Sequence, residues 1–279
     1  MLLPSAFLSR EVTVTVLPPA GFDRTVTYPL VLFNDGQDFE ALRMVETAAA
    51  LQSEEKIAPC VIAGIHAGEA RIYEYGTACQ PDYAGRGDRA GCTTSFILKE
   101  LLPYLTGHYN TVTAGVAYAG CSLGGLMALD AVWNHPEIFA QAGVFSGSLW
   151  WRQKGLEEGY AETDRIMHRQ IRNAGRTAPL RFWFQCGTRD EDDDRDSDGV
   201  IDSVQDTLEC IAELERKGYA WGRDIRYLEV KEGTHNPETW AKALPDFLEW
   251  AIGKGREGLV YRGEESHGVD AVGVVGKAG

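Results

Sequence analysis

Residues 114–130, AGVAYAGCSLGGLMALD, limit the fold more than any other stretch of the chain. Their centre, Gly120-Cys121-Ser122-Leu123-Gly124, is a G-x-S-x-G pattern. The small apolar run Val116, Ala117, Tyr118 and Ala119 precedes it, as a strand buried on both faces requires. Helix formers follow it, among them Leu126, Met127, Ala128 and Leu129. Strand, sharp turn and helix in that order make a nucleophile elbow. The flanking glycines permit a strained turn, and the turn lifts a serine hydroxyl above the end of the sheet.

The remaining apolar runs repeat this alternation. Residues 11–16 (EVTVTV) alternate polar and β-branched types and predict a half-exposed edge strand. Residues 28–34 (YPLVLFN), 59–66 (PCVIAGIH), 141–146 (QAGVFS), 180–186 (LRFWFQC) and 224–230 (DIRYLEV) predict further strands. Between them lie helical stretches. Asp38 is placed to cap one over residues 39–51, and another runs over 93–105. Residues 157–174 suggest a polar surface helix, and Ile201, Val204, Leu208, Ile211 and Leu214 recur at helical spacing. A last helix starts at Pro237 and runs to Trp250, with Pro245 expected to kink or restart it. Strands alternating with helices predict an α/β fold, a mostly parallel central sheet with helices on both faces. Residues 67–92 have no period and read as an ordered, lid-like excursion. One catalytic domain is expected over residues 1–253, followed by a Gly-rich flexible tail at 254–279.

The formal net charge of −14 argues against nucleic acid or an anionic membrane surface as partner. No run is long enough to span a bilayer, and the first residues lack a basic leader, so the expected location is cytoplasmic. The six cysteines show no CxxC pairing. Cys60, Cys121, Cys186 and Cys210 sit in apolar runs and read as small core residues.

Active sites in open α/β sheets gather at the carboxyl ends of the strands. Ser122, Asp190 and His235 each follow a predicted strand, in the order Ser, Asp, His of α/β-hydrolases. A neutral serine needs a base, and the base needs an acceptor that fixes its tautomer and stabilises the imidazolium. His235 and Asp190 fit these roles, although Glu191, Asp192, Asp193 and Asp194 stand close by as other candidate acids. For an oxyanion, the backbone N–H of Leu123 is one donor and that of Gln37, after the second strand, is the expected other.

With these residues in view, the chain resembles the putative-esterase family of α/β-hydrolases. That family includes enterochelin, feruloyl and acetyl-xylan esterases, S-formylglutathione hydrolase and mycolyltransferases. The resemblance rests on LVLFNDGQDF, EYGTACQPDYAGRG, YAGCSLGGLMALDAVWNHPEIFAQAGVFSGSLWW and GTHNPETWAKALPDFLEW, and covers most of residues 28–250. It implies a serine esterase acting on a small-molecule ester, with no cofactor for catalysis, and it supports Gln37 as oxyanion donor. It also places Trp150 and Trp151 near an acyl or aryl group. Substrates of the expected class are acyl or aryl esters of sugars or small alcohols. The segment before Tyr28 has room for little more than a strand pair, where enterochelin esterases carry a sizeable β-domain, which turns the expectation away from ferric siderophores. The alternatives are a siderophore esterase, an acyltransferase of the same fold and a non-catalytic calcium-binding module.

Asp194, Asp196, Asp198 and Asp202, with Gly199 among them, follow the first part of an EF-hand-type loop, but Gln205 replaces the final Glu. A structural calcium ion and a solvated charge run are the two readings of this stretch.

Overall fold

A computed structural model describes residues 1–175 and 178–254, and the backbone of 272–274. Nine strands form one sheet in the order β1-β2-β4-β3-β5-β6-β7-β8-β9. They are β1 (Leu2–Ser5), β2 (Arg10–Leu17), β3 (Leu30–Asn34), β4 (Val61–Ile65), β5 (Val116–Cys121), β6 (Phe139–Phe145), β7 (Arg181–Arg189), β8 (Ile225–Thr234) and β9 (Val272–Val274). The six strands from β4 to β8 pair in parallel, while β1, β2 and β9 join antiparallel at the two edges.

The central strands are buried on both faces, so their sequences are apolar throughout rather than alternating. Leu30 and Leu32 point into one core with Val61, Tyr118 and Phe182, whereas Val31 and Phe33 point into the other with Ile62, Ala119 and Trp183. Helices α3 (Ala90–Phe96), α4 (Leu102–Tyr109), α5 (Leu123–Asn134), α6 (Ile166–Asn173) and α7 (Asp202–Arg216) cover the first face. Helices α1 (Met44–Ser53) and α8 (Pro237–Ile252) cover the second. A π-helical turn, Ile97–Leu101, joins α3 to α4.

Several expectations change. The edge strand is β1, and β2 lies inside the sheet between β1 and β4. Asp38 caps no long helix: it closes a 3-10 turn, Gly36–Asp38, and α1 begins after Arg43. The excursion after β4 carries a short helix, α2 (Arg71–Glu74). Helix α6 is no surface helix, because Ile166, Met167, His168 and Ile171 are all buried. The buried His168 has its pKa pushed down to about 3 by burial, and its Nε2 lies 2.8 Å from the Asp206 carbonyl. Pro245 is accommodated inside a single helix. The expected flexible tail lies outside the described residues apart from Lys254 and Val272–Val274, the latter pairing with β8. Cys60, Cys121, Cys186 and Cys210 are buried, as expected of small core residues. Among the described residues no helix is long and apolar enough to cross a membrane.

Candidate active site

The carboxyl ends of β3, β5, β6, β7 and β8 lie side by side, and they bring Gln37, Ser122, Ser148, Asp190 and His235 to one edge of the sheet. Ser122 stands between β5 and α5 with φ 57° and ψ −124°, a backbone conformation that L-residues rarely adopt. The surroundings force it there. Its N–H donates to the Phe145 carbonyl at 2.8 Å, and its carbonyl accepts from Gly125, Leu126 and Ser148. Gly120 lies so close to the helix that an added Cβ would stand 2.6 Å from the Gly124 carbonyl. The glycines of the motif are therefore fixed by contact between strand and helix. Leu123, the first residue of α5, has a backbone N–H that no intrahelical carbonyl can accept.

The loop after β3 is tied to the same elbow. Asn34 donates from Nδ2 to the Gly124 carbonyl at 2.8 Å and accepts at Oδ1 from the Tyr118 hydroxyl. Asp35 is buried in the left-handed region at φ 60°. Arg71, from α2, grips its carboxylate with two bonds of 2.7 Å, and the Gln37 side chain donates to Asp35 and accepts from the Ala67 N–H. This bidentate pair fixes the backbone turn that carries the Gln37 N–H. Arg71 was not singled out in the sequence, where it lies in an aperiodic stretch.

Asp190 and His235 follow β7 and β8, which are hydrogen-bonded neighbours. Gly187 and Gly233 let the two strand ends close up: a Cβ on Gly187 would stand 2.3 Å from the Gly233 carbonyl oxygen and 2.7 Å from Asp190 Oδ1. Asp190 is only 8% exposed. Its Oδ2 accepts from the Gly187 N–H at 3.0 Å, and its Oδ1 is buried with no donor in hydrogen-bonding geometry among the described residues. Burial pushes the carboxyl pKa up, while the Ser146 hydroxyl, the Gly187 N–H and the charge of His235 pull it down. Burial likewise pushes His235 below the usual imidazole range. Asp190 opposes that shift, and the Arg71 cation adds to it. The residue that follows, Asn236, caps α8 by accepting from the Thr239 N–H at 3.0 Å, so His235 sits at a well-defined strand–helix junction.

No hydrogen bond joins His235 to Ser122 or Asp190 in this arrangement, and the neighbour of Ser122 Oγ is Ser148 Oγ at 3.4 Å. Catalytic hydrogen bonds are often long without substrate and tighten in the complex. Ser146 and Ser148 were not singled out as site residues in the sequence. Their signal was present, because they follow a predicted strand at the same sheet edge as Ser122.

The two tryptophans separate. Trp151 is fully buried, packed so tightly that a Cβ on Gly87 would lie 2.9 Å from its ring, and it supports the excursion from within instead of facing a ligand. Trp150 is partly exposed and lines a cavity of about 490 Å³ with Tyr83, Arg86, Arg152 and Glu191. The Arg86 and Arg152 guanidinium groups lie 5.1 and 5.7 Å from its ring centroid.

In the acidic loop, carboxylate oxygens of Asp194, Asp196 and Asp198 lie within 4.8 Å of one another. Asp202 is not among them: Arg195 draws it away with a backbone bond of 2.8 Å and a guanidinium bond of 2.9 Å. Asp194 accepts from the N–H groups of Asp198 and Gly199, and Asp196 accepts from Gln205. The four-carboxylate set read from the sequence is thus reduced to three, because an arginine inside the loop neutralises the fourth.

Comparison with known proteins agrees with this architecture. A family model described as "Putative esterase" matches residues 5–251. The uncharacterized protein YbbA of Bacillus subtilis is 24% identical over 251 residues, 87% of this chain and 93% of that one. The enterobactin esterase FES of Shigella flexneri, solved in the presence of enterobactin, superposes with a TM-score of 0.70 at 19% identity. The match covers 90% of this chain but 58% of that protein, so the chain spans little more than half its length. A ferulic acid esterase superposes with a TM-score of 0.68 at 17% identity, covering 90% of this chain and 96% of that one. The fold is that of α/β-hydrolase-type esterases, and the chain belongs to the putative esterase family.

Proposed function

We propose that this protein is a serine esterase that hydrolyses small carboxylic esters through an acyl-enzyme. The observation that carries the reading is the buried Asp190 Oδ1. Among the described residues it has no donor in full hydrogen-bonding geometry, and it lies on the strand end next to His235, at the same sheet edge as the strained Ser122. A buried carboxylate oxygen left short of donors is costly, and an imidazole Nδ1–H is a donor that relieves it. With Nδ1 so engaged, Nε2 is the free base.

Ser122 Oγ attacks the ester carbonyl while His235 accepts its proton. The Leu123 and Gln37 N–H groups hold the oxyanion, and Asp190 stabilises the imidazolium. His235 then protonates the departing alcohol, and water repeats the cycle on the acyl-enzyme. Trp150, with Tyr83, Arg86 and Arg152, lines a cavity that also reaches Glu191, the residue after Asp190, and these side chains suit an aromatic or sugar portion of the substrate. This supports aryl or acyl esters of sugars or small alcohols as the class. The similarity to the Shigella flexneri enterobactin esterase, solved in the presence of enterobactin, makes siderophore esters the second class to assay. A p-nitrophenyl acetate assay tests the reading: a burst of about one p-nitrophenol per chain is expected, and Ser122→Ala abolishes it. Equal release by both proteins contradicts it.

A further inference from the structure

Trp240 and Ser146 form a pair that none of the chemistry above uses. Trp240 lies in the first turn of α8, 8% exposed, and its Nε1–H donates to Ser146 Oγ at 2.9 Å. Its ring meets the His235 ring edge to face, with centroids 5.2 Å apart and planes at 83°. Ser146 follows β6, is 2% exposed, and adopts φ 43°, a left-handed conformation where glycine would cost less. Its N–H donates to the Gln185 carbonyl at 2.7 Å, which fixes the residue against β7. Its hydroxyl faces the Asp190 carboxylate and pulls the carboxyl pKa down, just outside full hydrogen-bonding geometry to the buried Oδ1.

The directions of the protons follow from these contacts. Because the indole N–H occupies a lone pair of Ser146 Oγ, the hydroxyl proton is directed elsewhere, and the buried acceptor beside it is Asp190. A plain core serine would not need a left-handed backbone, and Gly147 next to it shows that glycine is available at this turn. The strain is retained where it puts a hydroxyl between Trp240 and the acid.

On the triad reading given above, we infer that Trp240 and Ser146 are positioning residues that hold the acid and the base of the triad together. Trp240 sets the plane of the His235 ring through its own ring. It also sets the Asp190 carboxylate through the Ser146 hydroxyl. One side chain thus registers two strand ends, β7 and β8, against each other.

The charged groups facing His235 are Asp190 from the end of β7 and Arg71 from α2. Removing the Ser146 hydroxyl strips a donor from Asp190, whose negative charge then acts more strongly on the imidazolium. His235 binds its proton more tightly, and the acid limb of kcat/KM moves to higher pH. Trp240→Phe keeps a ring against His235 but removes the N–H, so it shifts the limb the same way by less, because the Ser146 hydroxyl becomes a weaker donor.

The test is a double-mutant cycle of Trp240→Phe and Ser146→Ala, read as kcat, KM and the pH profile, with Ser122→Ala and His235→Ala alongside. Each single variant should lose on the order of tenfold in kcat with KM within about twofold, and the double variant should lose no more than the worse single one. Ser146→Thr, which keeps a hydroxyl, should recover part of the loss. If both variants keep the wild-type kcat and pH profile and differ only in melting temperature, the pair is structural and the inference fails. If Ser122→Ala or His235→Ala is itself active, the triad reading fails first and takes this inference with it.

Discussion

The ends of β5 and β7 each deliver a proposed catalytic side chain to the same edge, but they are held by different forces. At the end of β5 the grip is local and made of backbone. Ser122 is fixed by four main-chain hydrogen bonds, by contact between Gly120 and Gly124, and by a helix whose residues Leu123 to Val132 are all buried. At the end of β7 the chain passes from Asp190 into an acidic loop held by charge. Arg195 bonds Asp202 at 2.9 Å and Asp206 at 2.6 Å, while Arg165, 2% exposed, bonds Asp206 from the N-cap of α6. Ser122 is therefore set by close packing, which is insensitive to pH and salt. The loop that follows Asp190 depends on a network of largely buried ion pairs, which is sensitive to the loss of any one member.

The largest effect tests the first region. Ser122→Ala should lower kcat/KM by at least about 10⁴-fold while circular dichroism and melting stay close to wild type. A loss below a hundredfold would mean that the elbow does not carry the nucleophile.

Next in size is the second region. Asp206 is 1% exposed between two guanidinium groups, so Asp206→Ala removes their shared partner while Arg165 keeps Glu162 and Glu209 and Arg195 keeps Asp202. It should cost about 1–3 kcal/mol in denaturant unfolding. A cost under 1 kcal/mol would show that packing, not charge, holds the loop.

Gly120→Ala forces a methyl group to 2.6 Å from the Gly124 backbone, and should cost about 1–3 kcal/mol together with most of the activity. An active, fully stable variant would show that strand and helix are less closely apposed.

The pH profile comes after these. Burial and Arg71 both lower the pKa of His235, and the base works only when neutral. The acid limb of kcat/KM should therefore lie below the ordinary histidine range, so activity persists to lower pH. Arg71→Gln removes a cation that disfavours imidazolium and should move the limb upward. A limb at or above the ordinary value in the wild type would contradict this balance.

The smallest effect returns to the elbow. Ser122→Gly removes both the hydroxyl and a strained φ of 57°, so an inactive protein that melts at or up to about 1 kcal/mol above wild type is expected. Lower stability would mean that the turn carries no strain at Ser122.

The same contrast explains what was legible in the sequence. The elbow announces itself because strand, glycines, serine and helix are contiguous, and the parallel sheet follows because its strands are apolar on both faces. That His235 and Asp190 stand at the same sheet edge as Ser122 was readable from their places after predicted strands. Arg71, Ser146 and Trp240 were not read as site residues, because their meaning lies in partners 36, 44 and 94 residues away: Asp35, Asp190 and Ser146. Trp151 was assigned to substrate because a Trp pair beside a site gives no direction, and only packing against Gly76 and Gly87 shows which of the two turns inward. Asp202 was counted in a possible calcium loop because spacing alone does not show that Arg195, seven residues before it, reaches it.

The most direct test of the central claim is labelling by a fluorophosphonate probe, read by intact mass and peptide mapping. The account predicts one adduct per chain, on Ser122, absent in Ser122→Ala and formed far more slowly in His235→Ala. An adduct on another residue, or labelling of Ser122→Ala at the wild-type rate, would contradict it.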